Sequence, residues 1–110
     1  MLLSDLENRS PTQMTEASEL VNRVSKSLGV PSGELIAGGV KEYLRAKHRT
    51  AKAEIHDLET KYMVKSIREL EEKIKEGTVE EHPAWEDLIL YENLVEQAQK
   101  IRKELDALPK

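Results

Sequence analysis

The 110-residue chain contains no cysteine and no phenylalanine, a single tryptophan, and no apolar run of membrane-spanning length. The first absence excludes disulfides, thiolate metal ligands and a thiol nucleophile together. With 4% aromatic and 38% apolar residues the core must be thin and aliphatic, and 35% of the chain is charged. A chain this small and this charged is expected to complete its core by pairing with another chain. Residues 1–7 carry Asp5 and Glu7 where a secretory signal needs a positive start, so the reading is a soluble, cytoplasmic protein with no membrane partner.

Catalytic and metal motifs are also missing. His48 and His56 lie eight residues apart on one helical pattern, ~12 Å along its axis, too far to share a metal ion. His82 sits in a loop before Pro83, and no Ser, His and acid spacing of a nucleophilic site occurs. Acids scattered over helix faces do not make a catalytic pair, which needs a pocket that moves two pKa values apart. The expectation is therefore a protein without catalytic residues, metal, cofactor or small-molecule substrate: not an enzyme.

What the chain does hold is helical periodicity, and the fold class it predicts is all-α. Residues 1–14 are polar and interrupted by Pro11, and read as a flexible arm or a short edge strand. A unit over 15–44 follows, with two helical patterns hinged at Gly29 to Ser32. Thr15 is its expected N-cap, Gly29 the left-handed end of its first helix, and Ser32 the N-cap of its second. Leu20, Val24, Leu28, Leu35, Ile36 and Val40 recur at helical spacing and exceed what two short helices can bury against each other. They are the expected core of a homodimer. Gly38 and Gly39, costly inside a helix, point to close approach of a neighbouring or symmetry-related helix.

Residues 45–110 read as an antiparallel helical hairpin or coiled coil with a short connecting helix. Leu44, His48, Ala51, Ile55, Leu58 and Tyr62 alternate steps of four and three. Ser66 and Glu69 form a capping box, and Gly77 ends the short helix they open. Pro83 belongs at the first position of the last helix, whose stripe runs Leu88, Tyr91, Leu94, Ala98, Ile101, Leu105, Leu108. Trp85, near the turn, is expected to pack on the short helix.

Charge is uneven. The net charge is −4, and between Glu76 and Gln99 there are seven acids and no Lys or Arg. Such a block repels nucleic acid and attracts a basic surface. Glu80, Glu81, Glu86 and Asp87 around Trp85 are the candidate protein-partner residues, an electrostatic rim about an aromatic anchor.

The stretch from Ser18 to Leu44, with a first helix closing Leu28-Gly29-Val30 and a second opening Ser32-Gly33-Glu34-Leu35, resembles the two helices of ribbon-helix-helix repressors. The layout of a small N-terminal unit and a charged helical extension is similar to the antitoxins of prokaryotic toxin–antitoxin pairs. The resemblance implies a dimer that binds operator DNA through its N-terminal part and a basic protein toxin through its C-terminal helices. It makes Arg9, Thr12 and Gln13 in the arm, and Arg23 and Lys26 on the first helix, the candidate DNA contacts. The same residues also fit a helix-turn-helix, although its recognition helix over 32–41 is poor in base-reaching side chains. Two other functions compete: a coiled-coil interaction or scaffold protein without nucleic acid, and a subunit of an enzyme whose chemistry lies on another chain.

Overall fold

The computed structural model describes residues 11–109 and is all-α. Its elements are α1 (Pro11–Leu28), α2 (Ser32–Tyr62), α3 (Ile67–Glu76) and α4 (Glu81–Ala107). The chain divides into two compact units, Met1–Val40 and Lys41–Lys110. No helix among the described residues is long and apolar enough to cross a membrane.

In the first unit α1 begins four residues before the expected Thr15, which lies inside the helix. Residues 11–14 are therefore helical and form no strand. Proline suits the first helical position, where its missing N–H has no partner to lose, and no breaker separates Pro11 from the rest of α1. The helix ends as its sequence indicates, with Gly29 at φ 67° and the Val30 N–H bonded to the Ser25 carbonyl at 3.0 Å. The Ser25 hydroxyl donates to the Val30 carbonyl, closing the turn from the other side. α2 starts one position earlier than expected of a Ser32 cap: Ser32 is its first residue, and the Pro31 carbonyl accepts the first helical bond from the Leu35 N–H at 3.0 Å.

The second unit is a helical hairpin. At one end, side chains of the last turns of α2 reach those of the first turns of α4: Lys61 Nζ lies 2.8 Å from Asp87 Oδ2, and the Tyr91 hydroxyl donates to Glu59 at 2.7 Å. At the other end, Lys41, Arg45 and Arg49 of α2 share a surface hollow with Arg102, Leu105 and Asp106 of α4. The two helices thus run antiparallel. The seam is the one the spacing predicts, with Ala51, Ile55, Leu58 and Tyr62 buried from α2, and Leu88, Tyr91, Leu94, Ala98 and Ile101 from α4. Leu44, His48, Leu105 and Leu108 are half-buried, so the seam loosens toward the open end.

α3 closes the connector end. Ser66 caps it, accepting from the Glu69 N–H at 3.1 Å, while the Glu69 carboxylate takes the Lys65 N–H at 2.9 Å. Its carboxyl end is a left-handed Gly77, with the Gly77 and Thr78 N–H groups bonded back to Ile74 and Lys73. Between these caps Leu70 is fully buried and Ile74 nearly so. α2 ends without a glycine: Met63 takes φ 54°, and the Val64 N–H returns to the Glu59 carbonyl at 2.9 Å. Lys73 of α3 donates to the Tyr62 and Met63 carbonyls at 2.9 and 3.3 Å, satisfying the helix end from a distant part of the chain. Near the start of α4, His82 is extended and Pro83 is at φ −93°, ψ 15°, so regular helix begins after Pro83 rather than at it. Ala84, fully buried, fills the place expected of Trp85, which is 37% exposed and outside the core.

Candidate functional site

Three surfaces carry the candidate residues. The first is the connector end of the hairpin. Asp87 Oδ2 takes bonds from both the Lys61 ammonium and the Tyr62 hydroxyl, and these two donors hold its carboxyl below the usual carboxylate range. Burial, reinforced by Asp87, pushes the Tyr62 phenol up; burial and the Glu59 carboxylate do the same to Tyr91. These groups are struts that fix α4 on α2. Asp87 is therefore committed within the chain and does not belong to the free acidic rim in which the sequence places it. Glu80, Glu81 and Glu86 are exposed beside the partly exposed Trp85, with Glu86 2.9 Å from the His82 ring.

The second surface is the first unit. Leu20, Leu28, Ile36 and Val40 are 45–67% exposed, Val24 and Leu35 only half-buried, and no described residue of this unit is buried. A Cβ built at Gly38 or Gly39 meets nothing within 4 Å, so none of the described residues uses the small surface they leave. Of the proposed DNA contacts, Arg9 lies outside the described residues, and Thr12 and Gln13 lie in the first turn of α1. Arg23 and Lys26 are exposed, but Arg23 borders a hollow with Glu16, Glu19 and Leu20, where two carboxylates oppose one cation. No strand is formed over 11–14, where Thr12 and Gln13 lie.

The third surface is one that periodicity alone did not single out. Along the side of the hairpin runs a groove of about 460 Å³, floored by Ile55, Ile67, Val95 and Ala98 and edged by His48, Lys52, Lys65 and Arg102, with the carboxylate of Glu59 also in its wall. It shares His48 and Arg102 with the hollow that holds Lys41, Arg45 and Arg49, so the two form a continuous trough. Residues 41–52 contain five Lys/Arg and one acid in a chain whose net charge is −4. The signal was present in the sequence as cations at positions 41, 45, 49 and 52, which fall on one helical face. Among the described residues no cluster of three or more His, Asp or Glu is placed to hold a metal ion.

Comparison with curated proteins finds no match, and comparison with solved structures finds none either. A family model matches residues 14–110, which takes in all four helices apart from the first three residues of α1. The chain belongs to the uncharacterized protein MJ0235 family.

Proposed function

We propose that this protein acts by binding rather than catalysis, as a dimeric regulator of the antitoxin type. The observation that carries the reading is the unfinished first unit. Two helices expose Leu20, Leu28, Ile36 and Val40 and bury nothing below the surface, which a folded unit of about 40 residues does not sustain alone. A second copy is the natural occupant, because helices with one apolar face are self-complementary about a two-fold axis and Gly38 and Gly39 leave room for close approach. The connector end supplies a separate surface for a basic protein partner, formed by Glu80, Glu81, Glu86 and Trp85. Asp87 is left out of it. The regulator reading also includes nucleic acid.

The pairing is tested by light scattering and by melting at several protein concentrations. Wild type should run as a dimer whose first unit melts at a concentration-dependent temperature, while Leu28→Asp and Ile36→Asp should give monomers that keep the hairpin. A wild-type monomer whose melting ignores concentration would end the proposal. For the partner surface, Glu80→Lys, Glu81→Lys and Glu86→Lys together should leave the fold nearly intact, since exposed charges contribute little. They should nonetheless release a basic protein that co-purifies with wild type from native cells.

A further inference from the structure

We propose that the trough between α2 and α4 is a binding site for the phosphate backbone of duplex DNA. This rests on the nucleic-acid part of the reading above and moves the contact from the first unit to the hairpin. Lys41, Arg45, Arg49 and Lys52 follow one another on one face of α2, about 6 Å apart per turn and ~16 Å from first to last. All four are exposed, and Arg102 of α4 faces them across the shared hollow. Duplex DNA presents a charge every ~1.7 Å of its axis, about ten over that length, so each cation finds a phosphate. Arg45 is paired with Glu42 at 3.0 Å and Arg102 with Asp106 at 3.3 Å. Lys41, Arg49, Lys52 and Lys65 have no carboxylate partner among the described residues. Four cations are thus free to displace counterions from a polyanion.

Two features decide the kind of polyanion. A protein partner needs an apolar anchor at the centre of its contact, and the hollow that holds Lys41, Arg45 and Arg49 offers only the half-buried Leu105, the apolar floor of Ile55, Ile67, Val95 and Ala98 lying in the adjoining groove beside Lys52 and Lys65. A single strand needs exposed rings on which bases stack, and the one aromatic side chain lining the groove, Tyr91, is buried with its hydroxyl held by Glu59. In that hollow there is charge without anchor or ring, as backbone contact requires. The recognition is accordingly independent of base sequence, since no side chain of the ladder is held in a forked geometry for base edges.

Fluorescence anisotropy of the full chain with a labelled 24-base-pair duplex of arbitrary sequence tests the site. With four free cations, affinity should fall about 100-fold between 50 and 200 mM salt. The variant Arg49→Gln/Lys52→Gln should lose at least tenfold in affinity at 50 mM salt and about half of the salt slope, with an unchanged melting curve. Should that variant fail to fold, Arg49→Gln and Lys52→Gln are read singly. Arg23→Gln/Lys26→Gln, on the first unit, should bind as wild type. Loss of binding in that variant with retention in the trough variant would overturn the inference while keeping the nucleic-acid reading. No binding by wild type at 50 mM salt would overturn both. Displacement of the duplex by a polyglutamate peptide at equal charge concentration would mark the trough as a surface for an acidic protein, overturning it as well.

Discussion

The two units of this chain solve the same problem with opposite results. Residues 51–101 bury thirteen apolar side chains, whereas the described part of the first unit buries none. Both are built from amphipathic helices. What separates them is a third face: the hairpin has α3, whose Leu70 and Ile74 close the end of the α2–α4 seam, while the described residues of the first unit add no third helix to α1 and the start of α2. Two helices alone can bury one stripe apiece, and every apolar side chain beyond that stripe stays wet. A ten-residue helix thus separates a unit that holds its own core from one that buries no described side chain.

The most forceful way to break this contrast is to empty the core that α3 supplies. Leu70→Ala removes a fully buried side chain and should cost about 3 kcal/mol, seen as loss of the hairpin's cooperative urea transition. If the transition moves by less than about 1 kcal/mol, α3 is not what completes the hairpin. Leu28→Ala, made at an exposed position, should leave the same transition unmoved, whatever it does to pairing.

Asp87 offers the next largest effect. Asp87→Asn keeps the shape and removes the charge that Lys61 and Tyr62 bind, at a cost of about 1–2 kcal/mol near neutral pH. Its carboxyl titrates below the ordinary 3.8 in the folded chain. Stability from this group is therefore complete above the unfolded value and drains away as pH falls through the lower, folded one. Urea midpoints followed from pH 6 down to pH 2 should show an acid-side loss in wild type that is smaller in Asp87→Asn. On the alkaline side the sign reverses. Tyr62 and Tyr91 have raised folded values, so their contribution is present below the ordinary 10 and is lost as pH climbs beyond it. Tyr91→Phe should flatten part of that loss.

The smallest effect sharpens the account of how α2 stops. Met63 holds a left-handed backbone at 82% exposure, a conformation that costs an ordinary residue about 1 kcal/mol and glycine almost nothing. Met63→Gly should raise the hairpin's melting temperature by a few degrees, and a fall would mean that the side chain contributes more than its exposure suggests.

Legibility followed the range of the interaction. Gly29, Gly77 and the Ser66–Glu69 box act within four residues of themselves, and each element end they mark was readable. The seam residues were readable because a repeat of three and four survives any error in helix ends. Pro11 was ambiguous, since proline suits both an edge strand and a first helical turn. The sequence places the end of α2 within residues 61–66 and the helix does end at Tyr62, but what closes it could not be read, because its cap is Lys73, ten and eleven residues away on α3. The role of Asp87 was hidden for the same reason, its partners lying 25 and 26 residues earlier. Trp85 and Ala84 are adjacent, and which one faces inward depends on the kink at His82 and Pro83. The trough needed both helices, since Arg102 joins the cations of α2 only once the hairpin has closed.

The charge ladder at the open end and the exposed carboxylates Glu80, Glu81 and Glu86 at the connector end give the hairpin an electric dipole along its length. A molecule repelled on average by a polyanion still feels a torque in its field. The torque would turn the positive end forward before any contact is made. Association would then be limited by how fast the chain rotates into line rather than by its net charge. The acidic end would arrive facing outward, open to a second, basic protein.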